Sequence, residues 1–117
     1  MKNRIVMLAA GLSLVVIGAQ RSFAQDGEAK TLYDDNCKKC HGARGVPPKA
    51  MKTKFEKIAT FDAAFVEKHS VDSIAKVLAK GKNEDMKAFK DKMTPAQMTA
   101  VAQYVHDMAL KKETKAP

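Results

Sequence analysis

The 117-residue chain is expected to form an all-α domain of about four helices. Three observations carry that expectation. Apolar residues recur at helical spacing in three separated stretches, each with a recognisable start or stop residue. No stretch alternates polar and apolar residues long enough to demand a strand. The only two cysteines stand three positions apart in Cys37-Lys38-Lys39-Cys40-His41, and the residues leading into them are helical in pattern.

The first element is a leader rather than part of the fold. Met1-Lys2-Asn3-Arg4 is basic, residues 5 to 19 ("IVMLAAGLSLVVIGA") carry no charge, and Ser22-Phe23-Ala24 supplies the small-residue pattern of a cleavage site. The apolar run is shorter than the roughly 20 residues that a membrane span needs. The sequence therefore predicts a secretory signal peptide over residues 1–24, a single domain over residues 25–117, a periplasmic location, and no stable membrane insertion after cleavage. A retained N-terminal anchor is the competing reading.

The first helix starts at Asp26, a residue type that caps helix N-termini, with Glu28 in the first turn where the helix dipole favours an anion. Ala29, Leu32 and Tyr33 then form one apolar face leading into Cys37. Residues 42–60 ("GARGVPPKAMKTKFEKIAT") hold glycines, two adjacent prolines and five basic residues, and read as loop. Phe55, Phe61 and Phe65 read as core, and "FDAAFVEK" adds a short helical turn. Ser70 caps a helix whose face is Val71, Ile74, Ala75 and Leu78, and Gly81 stops it. The clearest start signal is Thr94-Pro95-Ala96-Gln97: cap, proline at the first helical position, and glutamine three residues after the cap. It opens a helix with the stripe Met98, Val101, Ala102, Val105 and Met108, and with Lys111 and Lys112 at the end that prefers cations.

Charge narrows the function. All 13 acidic residues lie beyond Ala24, whereas Lys2, Arg4 and Arg21 leave with the leader, so the net charge falls from +8 to +5. The excess is diffuse lysine with no aromatic interleaving and no binding motif, too diffuse a field to argue for nucleic acid, and none is expected as a partner. It suits solubility and steering towards an acidic partner. A chain this short buries a modest core, and small exported domains need a disulfide, a metal or a covalent cofactor to hold together.

Four chemistries fit Cys37 and Cys40. A disulfide between them would close a tiny loop and restrain little of the unfolded chain. A thioredoxin-like redox pair needs a strand before it, and the preceding residues are helical in pattern. Zinc wants four ligands, and His41, His69 and His106 do not form a second paired cluster at finger spacing. Covalent c-type haem accounts for the whole motif. Two thiols three apart on a turn reach the two vinyl groups on one edge of the macrocycle, and the next residue, His41, is carried under the iron. The sequence therefore predicts one haem c held by Cys37 and Cys40.

On "AKTLYDDNCKKCHG" and "AKGKNEDMKAFKDKMTPAQMTAVAQYV" the chain resembles the small monohaem class I cytochromes c, over nearly all of its length beyond the leader. The resemblance implies a fold in which an N-terminal helix crosses a C-terminal helix with the haem in a crevice below. It implies His41 as proximal iron ligand, a proline carbonyl, Pro47 or Pro48, accepting a hydrogen bond from its far nitrogen, and a methionine in the loop before the last helix as distal ligand. Of the seven methionines, Met86 fits that place best. Met1 and Met7 leave with the leader, Met98 and Met108 lie on the last helix, Met51 lies in the proximal loop, and Met93 abuts the cap Thr94. The family usually has proline after its ligand, and Lys87 stands there instead, which points to a more mobile loop. Met93, His69 or an open site are the alternatives. His69 and His106 otherwise read as solvated residues.

Iron held by His41 and Met86 has no vacant position and passes single electrons. The expected function is a soluble, monomeric periplasmic electron carrier between redox partner proteins with acidic docking surfaces, and no enzyme. The alternative is a haem enzyme or gas sensor with an open distal face. Because two thioethers make the haem part of the chain, acid-acetone extraction is expected to leave the colour with the protein. Colour passing to the organic phase would contradict the covalent reading.

Overall fold

The computed structural model describes residues 23–114. The expected leader over residues 1–24 lies outside them, apart from positions 23 and 24. The described residues form six helices and no strand: α1 (Phe23–Asn36), α2 (Lys38–His41), α3 (Lys49–Lys54), α4 (Ala63–Lys68), α5 (Val71–Lys80) and α6 (Pro95–Thr114). No helix among them is long and apolar enough to cross a membrane.

The strongest capping signals form as read. Thr94 Oγ1 accepts from the Gln97 amide at 3.2 Å while Gln97 Oε1 accepts from the Thr94 amide at 2.9 Å, so two donors that a helix start leaves unpaired are satisfied reciprocally. Ser70 caps α5 through the Ser73 amide at 3.1 Å, and α5 ends at Gly81. Asp62 opens α4 by accepting from the Phe65 amide at 2.9 Å.

Three details differ from the sequence reading. Asp26 is not a cap: α1 begins at Phe23 and Asp26 lies in its first turn, where its charge still suits the dipole. The stretch read as loop contains α3, which together with the short α2 of the attachment motif raises the count from about four helices to six. Pro48 takes the position before α3, and Lys-Ala-Met-Lys-Thr-Lys is rich in good helix formers. His106 is half-buried on α6, not exposed.

The core lies where α6 meets the rest. Val101, Ala102 and Ala109 of α6 are fully buried, with Met98 and Val105 nearly so. One cluster gathers Tyr33, Cys37, Phe61, Ile74, Ala102, Val105 and Ala109, and the other gathers Leu78, Met93, Met98 and Val101. The packing brings α1 and α5 against α6, with α4 also on α6. Tyr33 and Tyr104 meet at the α1–α6 crossing, ring centroids 5.4 Å apart. At the outer end of the crossing, Gln97 donates to Glu28 at 2.7 Å.

Aromatic burial at this crossing dominates the docking of the terminal helices. Tyr104→Ala is therefore expected to lower stability by roughly 3 kcal/mol, as for deletion of a large packed side chain. Chemical denaturation of the holoprotein measures it, and a loss within error would show that the α1–α6 contact does not hold the domain.

Candidate haem-attachment site

The attachment motif is one helical turn that prolongs α1. The Cys37 amide donates to the Tyr33 carbonyl at 2.8 Å, the His41 amide to the Cys37 carbonyl at 2.9 Å, and the Gly42 amide to the Lys38 carbonyl at 2.8 Å. Residues three apart on such a turn share a face. Cys37 and Cys40 are thus presented together, the first buried and the second half-buried. Burial, with a smaller contribution from Cys40, pushes the Cys37 thiol up to about 11. The Cys37 thiol is held neutral and shielded rather than as a reactive thiolate.

Two glycines let the chain turn away. Gly42 has φ 81°, and a Cβ there would lie 2.0 Å from the Val46 carbonyl oxygen. Gly45 has φ 72°, and a Cβ there would lie 2.7 Å from Phe61 Cβ. Only glycine takes this left-handed backbone without strain and allows so close an approach. Tyr33 closes the turn from below: its hydroxyl donates to the Gly42 carbonyl at 2.7 Å, which satisfies a buried helix-end acceptor. Burial holds this phenol well above its ordinary value, so it remains a donor.

His41 is held on two sides by the segment leading to α4. Its Nδ1 lies 3.2 Å from the Ala59 carbonyl oxygen. A carbonyl only accepts, so Nδ1 carries the proton and Nε2 keeps its lone pair. The Phe61 ring stacks on the imidazole, centroids 4.6 Å apart and 17° from parallel. Burial lowers the His41 pKa and the nearby Lys82 ammonium pushes the same way, against the hydrogen bond to Ala59. A neutral imidazole with one free nitrogen is the form that ligates a metal. The support expected from Pro47 or Pro48 comes from Ala59 instead. A main-chain acceptor has no residue signature, so nothing in the sequence marked it.

Met86 sits half-buried in a closed turn between α5 and α6. The Met86 carbonyl accepts from the Lys82 amide at 2.8 Å, while Asn83 Oδ1 accepts from the amides of Asp85 and Met86 at 3.0 and 2.9 Å. The Phe89 amide donates to the Leu78 carbonyl at 2.8 Å and ties the far side of the loop to α5. The loop after Gly81 is thus held by short-range hydrogen bonds and one tie to α5. Met93 is nearly fully buried in the core cluster with Leu78, Met98 and Val101, and Met86 packs on the outside of that cluster. His69 is exposed at the end of α4, its ring against Phe65.

The donor set fits a c-type haem. Two thiols share one turn, the adjacent imidazole has its outer nitrogen committed to a carbonyl and its inner one available, and apolar residues surround them. It does not fit zinc: among the described residues no three of His, Cys, Asp or Glu gather to hold a metal ion.

The comparisons agree with that chemistry. Residues 24–105 match the family described as cytochrome C oxidase, cbb3-type, subunit III. Among solved structures the chain is similar to one titled KustC0563 c-type cytochrome, with 31% identity and a TM-score of 0.61, over 68% of this chain and 95% of that one. Comparison with curated proteins gives no match.

The turn at Gly42 yields a direct check. Gly42→Ala puts a side chain in a left-handed backbone and against the Val46 carbonyl, so a loss of at least about 2 kcal/mol is expected. An unchanged denaturation midpoint in the holoprotein would show that the turn has another path.

Proposed function

The chain belongs to the c-type cytochromes, carries covalent haem c and serves electron transfer with redox partners; from that premise we propose that it is an exported, monomeric, periplasmic electron carrier with His41 and Met86 as axial ligands. The carrying observation is the state of His41, neutral in a buried site, with Nδ1 donating to Ala59 and Nε2 left free. When bound, the haem supplies a one-electron iron couple.

The residues have separate tasks in this reading. Cys37 and Cys40 attach the group and so bind it to the end of α1. His41 is the proximal ligand, and its bond to the Ala59 carbonyl increases its basicity and fixes its tautomer. Met86 is the distal ligand, a soft neutral thioether that suits iron in both oxidation states. The charge influence of Lys82 on His41 supports this assignment, because Lys82 and Met86 belong to one hydrogen-bonded turn that approaches the site. The burial of Met93 among Leu78, Met98 and Val101 suits a core filler. Two axial ligands leave no position for a substrate, which favours a carrier over an enzyme or gas sensor. Residues 1–24 act as the export signal, and residues 25–117 are the mature domain.

Redox titration with optical spectroscopy on the mature holoprotein tests the ligation. The ferric protein is expected to show the weak near-infrared band of sulfur-to-iron charge transfer. That band is expected to disappear in Met86→Ala and persist in Met93→Ala; a high-spin spectrum that shifts at once on adding cyanide would contradict two-ligand coordination. The docking face is tested by kinetics. Lys38 and Lys39 flank the thiols, and Lys82, Lys87 and Lys90 flank Met86, all exposed. Steering by these charges predicts that the second-order rate with an anionic partner falls steeply with salt, because screening reaches only roughly 10 Å at about 0.1 M. The slope is expected to shrink in Lys82→Glu with Lys87→Glu. A rate flat in salt would assign the lysines to solubility alone.

A further inference from the structure

The Ala59 hydrogen bond fixes which nitrogen of His41 carries the proton, but by itself it does not fix the plane of the ring. The torsion about the Cβ–Cγ bond of a histidine is broad, because it joins a tetrahedral to a planar carbon, and a ring pinned at one nitrogen still rocks about that contact. We propose that Phe61 is the positioning residue that sets the plane of the His41 imidazole. This rests on His41 being the proximal ligand.

The geometry has three parts. First, the Phe61 ring lies 17° from parallel to the imidazole with centroids 4.6 Å apart, so rotation of His41 about Cβ–Cγ drives its edge into the Phe61 face. Second, Phe61 is itself unable to follow. Its amide donates to the Gly45 carbonyl at 2.8 Å, and its Cβ occupies the space that a side chain at position 45 would take. Its ring meets Tyr33 edge-on at 6.5 Å and Phe65 at 5.0 Å. With 7% exposure it has no room to swing outward. Third, Ala59 and Phe61 are two residues apart on one connection, so the same piece of backbone delivers the hydrogen bond to the edge of His41 and the aromatic cover to its face. The arrangement keeps water from that face of the imidazole and leaves the ring a single orientation. A residue that packed the core without constraining His41 would not need a parallel stack, and the Tyr33 and Phe65 rings meet Phe61 at 63° and 54°.

The orientation of an axial imidazole is read directly by electron paramagnetic resonance of the ferric holoprotein, since the g values of low-spin iron follow the ligand plane. In Phe61→Leu the low-spin signal is expected to broaden and shift, because the ring samples a range of orientations. Phe61→Tyr, which keeps the aromatic face, is expected to restore the wild-type line shape. Phe65→Leu removes one of the rings that hold Phe61 but leaves the ring over His41 in place; it is expected to lower the melting temperature and to shift the signal by less than Phe61→Leu does. An unchanged signal in Phe61→Leu, or an equal change in Phe65→Leu, would overturn the assignment. If Phe61→Leu yields no holoprotein, the wild-type reduced protein decides. Cross-relaxation between Phe61 and His41 ring protons, with one set of His41 resonances, supports the clamp, and its absence overturns it. A low-spin signal unaltered by His41→Ala would instead overturn the proposed ligation, and the clamp with it, which separates the two failures.

Discussion

The domain depends on Tyr33. This side chain is fully buried, and each of its parts faces a different element. Its ring meets Tyr104 of α6 and the edge of Phe61, and its hydroxyl donates to the Gly42 carbonyl. The crossing of the terminal helices and the shape of the attachment turn are thereby one packing problem. A phenol in this position must find an acceptor, since an unpaired buried hydroxyl costs about 1 to 3 kcal/mol. The carbonyl it finds, just past the end of α2, also accepts from the Gly45 amide at 3.2 Å, so helix end, turn and phenol share one oxygen. The phenol's need is thus met at the point where Cys37, Cys40 and His41 are presented.

How much of this was legible in the sequence follows from what kind of group carries each feature. Side chains that act through their own chemistry were legible. Thr94 with Gln97, Ser70 and Gly81 set helix ends that form as read, and the Cys37-Lys38-Lys39-Cys40-His41 spacing led to the haem that family membership bears out. Features carried by the main chain were not. The Ala59 carbonyl and the Gly45–Phe61 bond depend on where the backbone passes, and alanine there reads as nothing in particular. The helix α3 was hidden by its prolines, which mark a turn and a helix start with equal strength. The Asp26 cap failed for the opposite reason: a good cap residue also suits the first turn, and α1 simply begins earlier.

The two sides of the proposed site are built differently. The His41 side is held by contacts distant in sequence, from Ala59 and Phe61, and by burial. The Met86 side is held mainly by its own neighbours, through Asn83 and the Lys82 amide, with the Phe89 to Leu78 bond as its link to a helix. Local hydrogen bonds of this kind, on exposed residues, open at lower free energy than a packed core. The rigid side carries the imidazole, and the more loosely anchored side carries the thioether and several of the lysines.

The continuity of α1 into the attachment turn also bears on the order in which the protein is made. The hydrogen bonds within the turn are close in sequence: Tyr33 reaches Gly42 nine positions on, and the amides bond three or four residues back. The clamp from Ala59 comes 18 positions later, and the Gln97–Glu28 contact that closes the helix crossing spans 69. Contacts close in sequence form early and distant ones late, because each long loop must lose its freedom before its ends can meet. The turn that presents the thiols thus has what it needs before α6 packs over Cys37, which leaves a cofactor access to a segment that the finished fold encloses.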